Sequence, residues 1–170
     1  MLELKVDEAG ILNLIGSMEK SLANIKDMRP AWHAISPILS EEFESLFNAE
    51  GAYQGPKWSR LAPATVKTRT HRGLIPIQIG SATGRMKRSL VSPQHPDAVE
   101  KFGRDRYIRS TNVTNRGFEY RLAFEFGGRN SRGVQQPARP IGDRLIHGRK
   151  TLGRLLEAFD EALFGHMGDK

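Results

Sequence analysis

"ISPILSEEFESLFNA", residues 35–49, is the stretch on which the reading of the fold turns. Ser36-Pro37 has the form of a helix N-cap followed by proline at the first helical position, where its missing N–H costs nothing. Ile38, Leu39, Phe43, Leu46 and Phe47 then line one side of a helix to about Ala49. Trp32 and Ile35 extend that side backwards across a kink. Glu41, Glu42 and Glu44 make the same helix acidic, and they are the expected acidic partner surface.

Upstream, Ile11, Leu14, Ile15, Met18, Leu22 and Ile25 fall at helical spacing on one face. Arg29-Pro30 is expected to end this first helix, because a residue before proline avoids the α region. Before it, "MLELKVD" (1–7) alternates apolar and charged residues and reads as a short strand. Residues 1–50 are therefore mainly helical.

Residues 51–105 break the pattern. Prolines fall at 56, 63, 76, 93 and 96, and only "ATVKTR" and "ATGRMKRSLV" hold a helical turn or two. Between residues 57 and 109 there are 12 Lys/Arg and three acids. This composition predicts an extended basic arm that orders only against a partner. After it, "RYIRSTNV" and "GFEYRLAFEFG" flank "TNR" and read as a β-hairpin over 106–126. On its second strand Phe118, Tyr120, Leu122, Phe124 and Phe126 would face the helices. Residues 137–166 read as a proline-clipped turn and a C-terminal helix, with Leu152, Leu155, Leu156, Phe159 and Leu163 on one face. The expected fold is α+β. N-terminal helices and a C-terminal helix pack on a small antiparallel sheet, with the basic arm, in a single domain over 1–170.

Charge is distributed unevenly. Residues 1–50 carry a net −5, residues 51–154 a net +15 and residues 155–170 a net −3, which sum to the formal +7 of the chain. Such a dipolar chain can meet an acidic polymer such as nucleic acid. It can equally meet the opposite flank of a second copy, head to tail. No apolar run approaches the roughly 20 residues of a membrane span, and the first residues lack the basic start and apolar stretch of a secretory signal. There is no cysteine, which excludes disulfides and thiolate chemistry.

Catalytic patterns are scarce. The histidines at 33, 71, 95, 147 and 166 pair with no ligand at a metal-binding spacing, so no metal, cofactor or catalytic residue is expected. "GDRLIHGRKT" (142–151) departs from a phosphate-binding P-loop in both spacing and context. Glu119 and Glu125, with Arg121 between them, read as a surface charge ladder.

Four short motifs occur in order: "GPKWSRLAPATVKTR" (55–69), "IGSATGRMKRSL" (79–90), "YRLAFEFGG" (120–128) and "QQPARPIG" (135–142). In this order the chain resembles the virion morphogenesis, or tail-completion, family of tailed bacteriophages, including Mu-like ones. The matching positions are Trp58, Leu61 and Thr65; Thr83, Gly84 and Ser89; Phe126 and Gly127; and Pro137, Ala138, Arg139 and Pro140, and the resemblance implies that these, with Arg85, form an interface. Met86 stands where the family usually has Leu, and the residues after Pro140 depart from its shorter helix entry. The resemblance covers about residues 30–165. It implies a structural protein of the virion head–tail junction, present in the host cytoplasm during assembly, with no catalysis and no cofactor. The protein would complete or cap the tail and join it to the connector as a ring, expected to be a hexamer. Its implied partners are further copies of itself, the tail tube or terminator, and the head connector. Non-specific contact with DNA passing through the lumen is compatible with this, and no membrane is involved. Arg139, between Pro137 and Pro140, is expected to anchor an intersubunit contact; the alternative is that it folds back on its own subunit, onto Glu119 or Glu125. The competing function class is a basic nucleic-acid-binding protein.

Overall fold

Helix α2, Arg29–Asn48, is the element around which the chain is built. The computed structural model describes residues 8–115, 118–129 and 135–165. The strand expected at 1–7 lies outside them, as do part of the turn at 114–116 and residue 166.

Proline sits at the expected punctuation points but acts differently at each. Helix α1 spans Glu8–Lys26, and α2 begins at Arg29 with Pro30 in its first turn. Pro37 lies inside α2, so the helix does not start at Ser36. An interior proline costs about 3 kcal/mol. Burial of Ala31 and Ile35 on one side of it and of Phe43, Leu46 and Phe47 on the other offsets that cost. Ser36 caps nothing; its hydroxyl donates to Glu100 Oε1 at 2.6 Å.

The two-stranded sheet pairs β1 (Ala98–Phe102) with β2 (Tyr107–Thr111), antiparallel, in register Ala98↔Thr111 to Phe102↔Tyr107. The strand at 107–111 thus finds its partner upstream, across the tight turn 103–106 closed by Gly103 N–H to the Arg106 carbonyl at 2.8 Å. The expected hairpin over 106–126 is not formed. Only a two-residue ladder, β3 (Thr114–Asn115) with β4 (Phe118–Glu119), survives of it.

Residues Tyr120–Phe126 are helix α5 rather than a strand. The physical reason lies in two neighbours. Phe124 packs edge-on against Trp58, with ring centroids 5.0 Å apart. Its successor Glu125 accepts hydrogen bonds from the backbone N–H groups of Ile141 at 2.7 Å and Gly142 at 3.1 Å. Successive strand residues face opposite ways; a helix, turning about 100° per residue, brings both side chains to the same body. Phe126, on the other side, is 74% exposed.

The main core draws on residues between 43 and 145, including the segment expected to be an arm. Trp58, Ile79, Met86 and Leu90 are buried together with Phe43, Leu46, Phe47, Val113, Ile141 and Leu145. Residues 51–105 also form α3 (Pro63–His71), α4 (Arg85–Val91) and β1. α3 and α4 coincide with the two short stretches in which the sequence holds a helical turn, but the few apolar residues among so many cations do not announce a core. Trp58 and Ile79 are buried from the irregular stretches, α4 buries Met86, Ser89 and Leu90, and α3 buries no residue.

After α5, β5 (Gly128–Arg129) pairs with β6 (Gln135–Gln136), and the clip leads into α6 (Gly142–His147) and α7 (Arg149–Phe164). Glu125 caps α6. Gln54 Oε1 caps α7, accepting from Lys150 N at 3.2 Å and Thr151 N at 3.3 Å. α7 lies antiparallel along α2: Arg154 pairs with Glu42 near one end and Phe159 packs on Trp32 near the other. Its buried line runs through Thr151 and Leu163, leaving Leu152 and Leu156 exposed, so the packed face is rotated from the expected one. The α+β architecture, with helices at both ends and a small antiparallel sheet, is the one the sequence predicts. No helix among the described residues is long and apolar enough to cross a membrane.

Candidate functional site

The end of the clip and the first motif meet at Trp58. Its indole N–H donates to the Pro140 carbonyl at 3.3 Å, and its own backbone N–H bonds to the Glu50 carbonyl at 2.8 Å. Trp58 is 3% exposed and packs on Phe47 and Phe124. It is a pillar of the core rather than an interface residue.

Above this pillar opens a cleft of about 520 Å³. Leu61, Thr65, Thr83, Gly84, Arg85, Pro137 and Arg139 all line it. Motif residues from three separate segments are thereby brought to one place. Of the others, Ser89 is fully buried and shares a hydrogen bond with Thr111, while Phe126, Ala138 and Pro140 lie outside the lining. Gly127 has φ +70°, and a Cβ there would sit 2.7 Å from the Gln136 carbonyl oxygen. The close approach of α5 to the clip therefore requires glycine at this position. Gly84 sits at φ 73° in the left-handed region and starts α4.

The cleft's charge is one-sided. Among the described residues, Arg60, Arg69, Arg85 and Arg139 line it and no carboxylate does. Arg85 is neutralised by Asp97, with bonds of 2.9 Å and 2.8 Å. Arg69 and Arg139 have no ion-pair partner among the described residues. Arg69 Nη1 donates to the Gln78 carbonyl at 2.7 Å. Arg139 donates to the Ser59 carbonyl from Nε at 3.2 Å and from Nη2 at 3.1 Å, and lies over the Phe124 ring at 5.7 Å. Burial lowers the basicity of both guanidiniums, and the charge of Arg69 lowers that of Arg139 further. The floor between them is apolar, built from Leu61, Met86, Val113 and Phe124. Such a site can take an anionic group, a carboxylate or phosphate, attached to an apolar body.

These contacts correct three expectations. Arg139 is 7% exposed and turned into its own subunit, and its acceptor is the Ser59 carbonyl rather than Glu119 or Glu125. Glu42 is completely buried. It accepts from Arg154 at 2.6 Å, Tyr53 at 3.2 Å, Gln54 at 3.3 Å and the Thr151 hydroxyl, so it belongs to the α2–α7 contact and not to a partner surface. Glu41 and Glu44 are exposed, with Glu41 paired to Arg154. Glu125 is no rung of a charge ladder, since it caps α6. Arg60 and Arg69 fall in the basic run of 57–109 without being marked as site residues, and Phe124 is expected on a strand face rather than at this cleft. Thr65 and Arg69 stand at i and i+4 on α3, so the helical spacing within the first motif is the signal that places Arg69 beside Thr65.

Among the described residues no group of His, Asp and Glu is placed to hold a metal ion. No protein-family model, curated protein or solved structure matches the chain.

Proposed function

We propose that this chain is a structural protein of the head–tail junction of a tailed bacteriophage, completing or capping the tail and joining it to the connector as a subunit of an oligomeric ring. One observation carries the reading. Residues at positions typical of the virion morphogenesis family, from 61–65, 83–84 and 137–139, converge on a single cleft. Thr65, Thr83 and Pro137 are exposed and build no core, so their convergence fits a docking surface rather than a folding requirement. The uneven charge along the chain supports association between copies.

The test is genetic and visual. In a phage carrying this gene, its disruption should leave filled heads and separate tails that fail to join, and labelled protein should sit at the neck of intact particles. Joined, infectious particles at normal yield from the disrupted phage would reject the proposal.

A second reading, a basic nucleic-acid-binding protein, draws on exposed cations such as Arg60, Lys67, Arg72, Arg88, Arg104 and Arg106. Duplex binding that falls steeply with salt, without any association with itself or with virion proteins, would favour it.

A further inference from the structure

Two features lack a counterpart among the described residues. The first is α1. Leu12, Leu14, Ile15, Met18, Leu22 and Ile25 are 47–69% exposed, and space is open around Gly16. Ile15, Met18, Leu22 and Ile25 repeat at alternating steps of three and four, the spacing of a seam made to meet another surface. α1 is tied down at its C-terminal end, where Asn24 Nδ2 donates to the Leu163 carbonyl at 3.2 Å and Met28 N–H to the Arg104 carbonyl at 2.9 Å. In proteins most of a helix's stability comes from packing of its apolar face, and on α1 most of that face is exposed.

The second feature is the cleft, with an apolar floor and the charges of Arg69 and Arg139 unmatched among the described residues. We infer that the distal half of α1 of one copy docks in the arginine-lined cleft of the next.

Charge and placement select this occupant. Glu8 to Glu19 holds two acids and no base, whereas Lys20 and Lys26 lie in the half nearer the body. Glu19 stands beside Met18 and four residues from Ile15, so an anion and apolar anchors arrive together, as the cleft requires. Twelve helical residues reach about 18 Å, enough to cross to a neighbour. Donor and acceptor are separate surfaces: α1 packs on α7, and α7 contributes no residue to the cleft. A contact between two different patches of the same chain is head-to-tail and closes into a ring when its rotation permits.

The inference rests on the reading of the cleft as a docking site, and the experiment separates the two. Sedimentation of the purified chain across the micromolar range is compared with a donor variant, Leu14→Asp with Met18→Asp, and an acceptor variant, Arg60→Glu with Thr65→Glu. All four positions are exposed, and circular dichroism checks each fold. Thr83→Glu serves as a second acceptor variant. The wild type should self-associate and each variant alone should stay monomeric. An equal mixture of donor and acceptor variants should give a heterodimer and nothing larger, because only one intact junction can form. A monomeric wild type overturns the inference while leaving the neck placement to the genetic test. Association that survives both acceptor variants overturns the docking role of the cleft itself. Loss of association in the donor variant alone would then identify α1 pairing with α1.

Discussion

Arg139 donates both Nε and Nη2 to the backbone carbonyl of Ser59, 80 residues earlier in the chain. The clip is thereby pinned to the segment that carries Trp58. Arg139→Ala should lower the stability of the isolated subunit by about 2 kcal/mol, since hydrogen bonds from a charged donor contribute about 1.5–3 kcal/mol. In a chain of this size that is a drop of about 4–8 °C in melting temperature. Thermal melts of the monomer check it, and an unchanged Tm would show that the bond adds nothing.

Glu42 and Arg154 give a second test. Removing one partner of a buried pair costs about 3–5 kcal/mol. Arg154 is partly exposed and keeps Glu41, so Glu42→Ala should fall near the lower end, about 3 kcal/mol. Glu44→Ala, at an exposed position, should stay within about 0.5 kcal/mol. Urea denaturation of both variants decides whether the acidity of α2 serves folding at one residue and the surface at another.

The cap on α6 can be removed on its own. Glu125→Ala takes away the acceptor of the Ile141 and Gly142 N–H groups and should cost about 1–2 kcal/mol. Amide exchange at those two residues should speed up in the variant, and Glu125→Gln should restore part of the protection. Equal exchange in wild type and Glu125→Ala would reject the capping role.

The pH dependence follows from Glu100 and Tyr107. Burial alone would raise the Glu100 carboxyl, but hydrogen bonds from Ser36 and Tyr107 and the charge of Arg109 outweigh it, holding it below the ordinary 4.5. The unfolded chain therefore takes up this proton first as pH falls, and stability drops below about pH 4.5. Tyr107 is pushed up to about 12 by burial and by its bond to Glu100. Its contribution is intact below pH 10 and is lost as pH rises towards 12. Melting curves against pH should show both limbs, and Glu100→Gln should flatten the acid one.

Hydrogen exchange in the monomer should reverse the expectation drawn from composition. Residues 86–90 should exchange slowly, because Met86, Ser89 and Leu90 are buried. Residues 12–20 of α1 should exchange fast, having little packed on them. Slow exchange along the whole of α1 in a verified monomer would contradict this.

The sequence by itself determined the two N-terminal helices, the C-terminal helix and the α+β class, because apolar residues repeating at helical spacing state which side must be covered. It also marked seven residues that line the cleft, as motif or interface positions. Tertiary structure decided the rest. The alternation of 118–126 fits a strand, yet Phe124 and Glu125 have targets on the same body, and only a helix serves both. The 51–105 segment reads as solvated because its charge density hides Trp58, Ile79, Met86 and Leu90, which are buried against residues distant in the chain. Glu42 looks like its neighbours Glu41 and Glu44; it is buried because α7 brings Arg154 and Thr151 to it. Helical and strand periodicities are local and can be read along the chain. The partner of a lone apolar or charged residue is a long-range property, fixed only when the elements pack.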